Sequence, residues 1–390
     1  MLRGFTFEIY PSLEQKEMFW KMAGCNRLVW NLCIDHCKKV YDKSGKTPSA
    51  NDLCSFITSL KQTKKYYFLN EVDSKSFQCT AYFLRDAFVR FFQKKNGYPK
   101  YKSRKHKIQS YTTDSGTVLN FNNLDFENHT VVIPKFGKVH SYLYRQFEGQ
   151  IKRATIKYEG NRYWISYCVE VEELKPLPKV KQECAIDAGV NSVVTIYSKK
   201  KNSQGKHFTK VDNQRFLNKT RKKITKLQRN LSRKQKGSNN YYKVKNKLNK
   251  AWFRLRNQRK DFLHKLSRSI INDNQVIYVE DLNIKAMMKS KETNSKLKDS
   301  ISDVSWYKLF QFLNYKAEEA GRHIEFVNPK NTSKKCYNCG FLNKKVVLGF
   351  EKWICPHCGI KHDRDKNAAK NIFMKGHRNL YQAGVGTHRL

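Results

Sequence analysis

The most constraining feature of the sequence is a set of four cysteines near its C-terminal end. Cys336 and Cys339 enclose two residues, Cys355 and Cys358 enclose two more, and fifteen residues separate the pairs. Two thiolates on each of two knuckles supply the four ligands of a tetrahedral zinc ion, and a shell of four sulfurs leaves no open coordination position. We therefore predict a structural zinc ribbon, in which the metal stabilises the fold and takes no part in catalysis.

The segment after the second cysteine pair is predicted to form a helix with two acidic residues at its start. Asp365 lies seven residues before Ile372 and shares a helix face with Ala368 and Ala369. Asp363 points elsewhere, and we expect it to be the helix N-cap. Asp365 therefore faces inward, and a carboxylate in that position needs a cation or a polar network to offset its desolvation.

The composition points to a polyanionic partner. Lys and Arg outnumber Asp and Glu by 77 to 33, which gives a formal net charge of +44. A field of this size indicates nucleic acid first, although a ribosomal-type or merely solubilising surface has the same composition. No apolar run of about 18 residues is present, so neither a membrane span nor secretion is expected. Seven of the 11 cysteines lie outside the two pairs without disulfide-like spacing, which favours a reducing compartment.

The first half of the chain is predicted to combine a small β-barrel with a helical insertion. Residues 2–10 alternate in polarity as a strand does, and Ser12 and Gln15 form a capping box that opens a helix. Helical periodicity covers 25–41, 49–60 and 73–94. Short alternating segments return between 117 and 171, where Gly160 and Asn161 predict a tight hairpin turn.

A basic and aromatic loop at 96–107 connects the helices to the later strands. It contains Tyr98, Lys100, Tyr101 and Lys102. Aromatic rings beside lysines can stack on bases and bind phosphates, so these four residues are candidate nucleic-acid contacts. The alternative is an ordinary solvated connector.

The second half follows the order three strands, helical hairpin, strand, helix, strand, cysteine ribbon and helix. The elements before the ribbon are predicted at 184–190, 192–197, 207–211, 214–273, 275–279, 305–321 and 324–327. Asp187 lies on the first strand, and Glu280 follows the fourth, whose β-branched residues are typical of a buried parallel strand. In this topology the first and fourth strands lie side by side, which brings Asp187 and Glu280 together. Asp365 approaches them from the final helix.

Three carboxylates converging in a strongly basic chain indicate a catalytic Mg²⁺ or Mn²⁺ site. Asp187, Glu280 and Asp365 would hold two ions about 3.5–4 Å apart, which stabilise the attacking and leaving oxygens in phosphodiester cleavage. Each acid taken alone has an ordinary explanation as an N-cap, a surface residue or a strand-end residue. We expect structural or peripheral roles for the neighbouring Asp281 and Asp363.

Several segments of the sequence resemble one known family. They are 186–189, 279–282, TSKKCYNCG from Thr332, CPHCG from Cys355, DRDKNAAKN from Asp363, and the N-terminal FTFEIYPSLEQ, 24–27 and 97–102. These segments are similar to the TnpB family of transposon-encoded RNA-guided DNA endonucleases, which are related to type V CRISPR effectors and to Fanzor proteins. The similarity covers nearly the whole chain, in order.

The resemblance implies a multidomain fold of α/β and β-barrel parts. A wedge-type β-barrel would contain an inserted helical recognition domain, and a RuvC-like (ribonuclease-H-like) nuclease domain would contain the four-cysteine zinc ribbon. The implied boundaries are 1–11 and 111–178 for the wedge, 12–110 for the recognition domain, 179–330 and 362–390 for the nuclease with its basic hairpin at 214–273, and 331–361 for the ribbon.

The family motif also implies the site and the partners. Asp187, Glu280 and Asp365 match the metal-binding catalytic residues, while Ala188 stands where the family has a larger aliphatic residue. The implied partners are a guide RNA from the transposon end and a duplex DNA target with a short adjacent motif, with specificity supplied by base pairing. The implied location is the bacterial cytoplasm, on the nucleoid when DNA-bound, or the nucleus of a eukaryotic host.

Two alternatives remain beside the RNA-guided endonuclease. One is a catalytically silent RNA-guided DNA-binding regulator, against which the three intact acids argue. The other is a transposase that acts directly on DNA. A tyrosine or serine recombinase needs a covalent nucleophile with its own arginines, and no such constellation stands out in the sequence.

Overall fold

The computed structural model describes residues 1–106, 108–114, 124–172, 175–202, 204–290, 295–347 and 350–382, except the side chains of Lys285 and Lys296. Parts of the predicted loop at 96–107, of the alternating segments at 117–171 and of the implied domains lie outside these residues, at 107, 115–123, 173–174, 203, 291–294, 348–349 and 383–390. The chain divides into two units, Met1–Glu173 and Leu174–Leu390. No helix in the described ranges is both long enough and apolar enough to cross a membrane.

The first unit is built on one antiparallel sheet of seven strands. The strands are β1 (Leu2–Tyr10), β2 (Gln109–Asp114), β3 (Leu124–Asp125), β4 (Thr130–Ile133), β5 (Gly137–Ser141), β6 (Gln150–Glu159) and β7 (Arg162–Glu170). Their order across the sheet is β2-β6-β7-β1-β5-β4-β3. Phe5, Phe7 and Ile9 of β1 are buried, as the alternation predicts. Gly160 and Asn161 join β6 to β7 with φ values of 63° and 66°, which confirms the predicted tight turn.

The closed β-barrel predicted for this unit is not shown. Among the described residues the sheet is open, because the edge strands β2 and β3 each pair with one neighbour. Polarity alternation identifies the strands, but closure depends on their tilt and stagger, which the alternation does not encode. Strands β2 and β3 were not predicted.

The predicted helical insertion lies between β1 and β2. It consists of α1 (Leu13–Ser44), α2 (Ala50–Gln62), a 3₁₀ helix (Lys64–Glu71) and α3 (Ser74–Phe92). Ser12 and Gln15 form the predicted capping box at the start of α1. The Gln15 side-chain amide also donates to the carbonyls of Phe136 and Lys138, so the cap fixes the first turn of α1 against the loop and strand around β5.

The second unit contains a mixed sheet of five strands. They are β8 (Glu183–Ala188), β9 (Ser192–Ser198), β10 (Phe208–Asp212), β11 (Val276–Glu280) and β12 (His323–Val327). The order is β10-β9-β8-β11-β12, with β11 parallel to both β8 and β12. The predicted contact between the first and fourth strands of this unit is therefore confirmed.

Helices cover both faces of this sheet. The remaining elements are α4 (Phe216–Ser232), α5 (Asn239–Asp273), α6 (Ile284–Lys289), α7 (Ser295–Val304), α8 (Trp306–Ala320), the ribbon strands β13 (Lys352–Ile354) and β14 (Lys361–Asp363), and α9 (Arg364–Gln382). Helices α4 and α5 form the predicted hairpin, whereas α6 and α7 were not predicted. Ile186 and Val279 pack with α5 and α8, while Ala185 and Tyr278 pack with α9 on the other face.

Helix α9 crosses the sheet closely at a glycine. A Cβ atom on Gly376 would lie 2.2 Å from Cδ1 of Tyr278, so no larger residue fits without moving the helix. Ile372 and Phe373 of α9 fill the same layer. The final helix is thus held against β8 and β11, the two strands that carry the predicted acids.

Candidate metal centres

Two of the three predicted acids lie side by side on adjacent strands. The register of β8 and β11 pairs Ile186 with Val279, so Asp187 and Glu280 come next on the two strands. Because side chains alternate along a strand, both carboxylates lie on the α9 face, with Ala185 and Tyr278. They are 8% and 6% exposed. Strand pairing therefore brings together two buried carboxylates.

The third acid, Asp365, lies in the first turn of α9. Ala368, Ala369 and Ile372 are fully buried, which confirms the predicted inward face of the helix. The Asp365 side chain itself is 32% exposed, slightly more than the 28% of Asp363, so the predicted burial of Asp365 is not observed. Asp363 is the N-cap, as predicted, because its Oδ1 accepts a hydrogen bond from the backbone amide of Lys366 at 3.1 Å.

Burial raises the pKa of both acids on the strands. Burial raises the pKa of Asp187 well above its ordinary value, and the negative charges of Glu280 and Asp365 raise it further. Burial also raises the pKa of Glu280, although a hydrogen bond from Thr332 opposes this shift. Ionising these carboxylates together requires added positive charge, and an all-oxygen donor set suits a hard divalent cation such as Mg²⁺ or Mn²⁺.

Lys210 of β10 supplies part of the positive charge that the carboxylates require. Its ammonium lies 3.0 Å from Asp363 Oδ2 and 3.5 Å from Asp365 Oδ2. Burial alone would lower the pKa of Lys210, but the two carboxylates outweigh burial and raise it. No sequence pattern indicated a role for Lys210, because its strand is short and largely exposed.

Thr332, which precedes the first cysteine pair, contacts one of the predicted acids, Glu280. Its hydroxyl donates to Oε1 of Glu280 at 2.6 Å. Its carbonyl accepts from the side-chain amide of Asn371 on α9 at 2.8 Å. The segment that precedes the first cysteine pair is therefore bonded both to a predicted catalytic acid and to the final helix. Thr332 opens the TSKKC segment, but nothing in that pattern indicated its contact with Glu280.

The two asparagines of the DRDKNAAKN segment attach α9 to the first cysteine knuckle. Asn371 donates to the carbonyl of Lys335 at 2.6 Å, and Asn367 donates to the same carbonyl at 2.9 Å. Asn367 also accepts from the backbone amide of Tyr337 at 3.0 Å. Both side chains are buried and lie one helical turn apart. The motif thus places an acid and two backbone-binding amides on one helix.

The four cysteines form a compact sulfur cluster. Their Sγ atoms all lie within 4.8 Å of one another, and no other group of His, Cys, Asp or Glu in the described ranges is as compact. The pairs Cys336–Cys358 and Cys339–Cys355 are 3.7 and 3.5 Å apart. A tetrahedral zinc ion with bonds of about 2.3 Å places its sulfurs about 3.8 Å apart, so these residues fit zinc. His362 Nε2 lies 3.1 Å from Cys336 Sγ.

Both knuckles close in the same way. The amide of Gly340 donates to the carbonyl of Cys336 at 3.0 Å, and that of Gly359 donates to Cys355 at 2.9 Å. The two glycines have φ values of 79° and 72°, a conformation that glycine adopts without strain. Each cysteine pair is therefore followed by a tight turn at a glycine.

The predicted nucleic-acid loop is bonded to α1. The indole N–H of Trp30 donates to the carbonyl of Lys100 at 3.0 Å, and Asn31 bonds both backbone groups of Lys102. The Lys102 ammonium lies 3.9 Å from the centre of the Trp30 ring. Lys102 therefore has an internal cation–π contact that fixes the loop.

The two loop tyrosines also have internal contacts. Tyr98 packs edge-on against Phe88 and Phe91, and the Tyr101 hydroxyl donates to Asp35 at 2.5 Å. Lys100 is exposed. Contacts of these four residues with nucleic acid stay a prediction.

Comparison with known proteins assigns the family. Residues 166–291 match the OrfB family of IS605 elements, described as "Probable transposase", and 306–372 match "Cas12f1-like, TNB domain". Residues 1–46 match "Helix-turn-helix domain". In that range the structure has strand β1 and the single continuous helix α1.

Two relatives match nearly the whole chain. A "Putative RNA-guided DNA endonuclease" of Streptomyces pristinaespiralis is 32% identical over 381 residues, which cover 96% of this chain and 89% of the relative. The "Putative RNA-guided DNA endonuclease InsQ" of Escherichia coli K12 is 29% identical over 387 residues, covering 96% and 92%.

A solved structure matches the fold. The chain aligns with the "Cryo-EM structure of the Cas12f1-sgRNA-target DNA complex" at a TM-score of 0.58 and 13% identity, over 95% of this chain and 98% of that chain. The fold and the sulfur cluster define a Cas12f-like multidomain α/β protein with a four-cysteine site. The relatives assign the family: the chain belongs to the TnpB family, the OrfB proteins of IS605-type transposable elements.

Proposed function

We propose that this chain is an RNA-guided, divalent-metal-dependent DNA endonuclease of a transposable element, which cuts duplex DNA beside a short target-adjacent motif. The observation that carries the proposal is the pair of buried carboxylates, Asp187 and Glu280, on adjacent parallel strands. Asp365 on α9 is close enough for its charge to raise the pKa of Asp187. Relatives that match nearly the whole chain are named RNA-guided DNA endonucleases, which supports it. The net charge of +44 suits two nucleic-acid partners.

The proposed site is a RuvC-like nuclease centre. Asp187, Glu280 and Asp365 would hold Mg²⁺ or Mn²⁺, which supplies the positive charge that stabilises the attacking and leaving oxygens in phosphodiester cleavage. Thr332 orients the Glu280 carboxylate through its hydroxyl. Lys210 orients Asp365 and neutralises Asp363 beside it. The chain thus fixes the ligands, and the sheet order β10-β9-β8-β11-β12 agrees with a ribonuclease-H-like domain.

The domain assignment extends this proposal. The interruption of the first unit's sheet by α1–α3 supports a wedge domain at 1–11 and 111–178 with a recognition domain at 12–110. The nuclease domain is assigned to 179–330 and 362–390, and the zinc ribbon to 331–361. Zinc in the ribbon has a structural role, because four sulfurs complete its shell.

The proposed partners are a guide RNA from the transposon end and a duplex DNA target. Base pairing supplies the sequence specificity, and basic side chains hold the nucleic-acid backbones. The protein would act in the bacterial cytoplasm, on the nucleoid when DNA-bound, or in the nucleus of a eukaryotic host. A catalytically silent regulator is less favoured because all three acids are present. A direct transposase is less favoured because the relatives that match nearly the whole chain are named RNA-guided DNA endonucleases.

The test compares two acids at the start of one helix. Asp365→Ala is expected to abolish Mg²⁺-dependent cleavage of a plasmid that matches the guide, while the RNA–protein particle still forms. We expect the same result for Asp187→Ala and for Glu280→Ala. Asp363→Ala is the matched control, because Asp363 also contacts Lys210 but caps the helix. It should lose stability by about 1 kcal/mol and still cut. Normal cutting by Asp365→Ala, with none by Asp363→Ala, would contradict the site.

A further inference from the structure

A row of exposed side chains runs along β5 and beyond its end. Lys138, His140, Tyr142 and Tyr144 are exposed, and the residues between them are buried. Those buried residues are Val139, Ser141 and Leu143. The alternation of a strand therefore continues past Ser141, where β5 ends, and every outward position is basic or aromatic.

Rings from two other segments join this row. The ring of Tyr10 on β1 lies 5.6 Å from that of His140, and the ring of His129 lies 6.1 Å from that of Tyr142. The rings of Tyr142 and Tyr144 are 6.2 Å apart. Tyr10, Tyr142 and Tyr144 are 51%, 58% and 58% exposed. The ring of His129 also lies 6.4 Å from that of His140, so these five residues form a continuous aromatic strip. At the end of the strip, the Tyr144 ring also lies 5.3 Å from the ring of the buried Phe7, and its hydroxyl donates to the Thr6 carbonyl at 3.3 Å.

The backbone of His129 is tied to β5. Its φ is 52°, in the left-handed region, which histidine adopts more often than most other non-glycine residues. Its carbonyl accepts a hydrogen bond from the amide of Ser141 at 2.7 Å. This bond holds the His129 ring beside the rings of His140 and Tyr142.

The charge of the chain favours a polyanion at the strip. Lys138 precedes the strip on β5 and acts on the Asp125 carboxylate, while the Arg145 guanidinium lies 4.6 Å from the centre of the Phe5 ring. Glu8 lies on the neighbouring strand, but its carboxylate is paired with Arg162 at 2.8 Å. The strip thus presents exposed rings on a chain with a net charge of +44, and rings in a positive field are the combination by which proteins bind single-stranded nucleic acid.

We propose that the aromatic strip binds unpaired bases of the guide RNA. This inference rests on the proposed function, which supplies the RNA. Rings on a sheet surface stack on bases that are free of a duplex, whereas the bases of an A-form helix present no free faces to such rings. The ligand is therefore a single-stranded segment of the guide, and not its paired stems or its heteroduplex with DNA.

The test uses the full chain and the guide RNA that copurifies with the wild type. The double variant Tyr10→Ala/Tyr142→Ala removes two rings whose ring contacts lie within the strip. We expect it to bind the guide about ten- to a hundredfold more weakly at fixed salt concentration. Tyr10→Phe/Tyr142→Phe keeps the rings and should bind as the wild type does.

A matched control removes two other exposed tyrosines of the same unit. Tyr67 and Tyr82 are 68% and 51% exposed and lie in the helical insertion. The double variant Tyr67→Ala/Tyr82→Ala should bind the guide with the affinity of the wild type.

A second measurement does not depend on whether the variants fold. Ultraviolet cross-linking of the wild-type particle, followed by mass spectrometry of its peptides, should attach unpaired guide nucleotides to the 138–145 segment.

Several outcomes would overturn the inference. The first is that Tyr10→Ala/Tyr142→Ala binds the guide as tightly as the wild type. The second is that Tyr10→Phe/Tyr142→Phe or Tyr67→Ala/Tyr82→Ala loses as much affinity for the guide as the alanine pair does. The others are cross-links at 138–145 that come only from paired guide nucleotides, and an alanine pair that binds single-stranded DNA more weakly but the guide normally. If a discrete guide directs wild-type cleavage and the strip variants bind it normally, the strip inference alone fails. If no discrete RNA copurifies, the proposed function fails first and the inference fails with it.

Discussion

Replacing Thr332 by valine removes one hydroxyl and keeps the shape of the side chain. The hydroxyl has one proton, and it lies 2.6 Å from Glu280 Oε1 and 3.0 Å from the carbonyl of Pro329. The carboxylate is the stronger acceptor and is closer, so the proton goes to Glu280. Because Glu280 is only 6% exposed, water cannot readily replace this bond.

The size of the effect follows from the charge on the acceptor. A hydrogen bond to a charged group contributes about 1.5–3 kcal/mol, and each 1.4 kcal/mol or so of transition-state energy changes a rate about tenfold. If the bond holds Glu280 in its catalytic orientation, Thr332→Val should slow cleavage roughly ten- to a hundredfold. Thr332→Ser retains the hydroxyl and should cut at close to the wild-type rate.

The assay is single-turnover cleavage of a guide-matched DNA duplex at saturating Mg²⁺. Affinity for the guide RNA and zinc content are measured on the same preparations, and we expect both to be unchanged in Thr332→Val. Wild-type cleavage by the valine variant would refute the positioning role. Equal slowing in Thr332→Ser would show that the methyl group of Thr332, and not its hydroxyl, is what matters.

Two further predictions concern stability. Cys355→Ser removes one sulfur of the cluster and should lower both folded yield and zinc content, measured by metal analysis; unchanged yield, zinc and cleavage would contradict a structural zinc. The second prediction concerns Lys316, which is buried and donates hydrogen bonds to the His264 carbonyl and to Ser267 Oγ, each at 2.7 Å. Burial lowers the pKa of Lys316 from 10.5 to about 8. Between these two values the unfolded chain binds more protons, so the melting temperature of the wild type should rise relative to that of Lys316→Met as pH increases from 8 to 10.5. A difference that stays constant or falls over this range would rule out the shifted pKa.

The parts of the site that regular periodicity governs were predictable from the sequence. Asp187 and Glu280 come together because the order of strands and helices places β8 beside β11. The 100° turn per residue of a helix also predicted Asp363 as the helix cap, but it placed Asp365 on the inward face, whereas the Asp365 side chain is 32% exposed. The cysteine spacing alone located the sulfur cluster.

Contacts between distant segments could not be predicted in this way. Thr332 bonds Glu280 across 52 positions in the chain, and Lys210 reaches Asp363 across 153. Such contacts depend on how elements pack in three dimensions. Tyr101 and Lys102 look available for nucleic acid in the sequence, yet α1 holds both of them. The open edges of the first sheet were likewise missed, since alternation is the same in an open sheet and in a barrel.

The most direct test of the central claim is to reprogram the cut. The protein is purified from cells that also carry the DNA flanking its gene, and the RNA that copurifies is sequenced. We expect one discrete RNA that ends in sequence from beyond the element. When that end is exchanged, the Mg²⁺-dependent cut should move to DNA that matches the new sequence, and Asp187→Ala should not cut. Heterogeneous RNA, or a cut that stays in place after the exchange, would contradict an RNA-guided endonuclease.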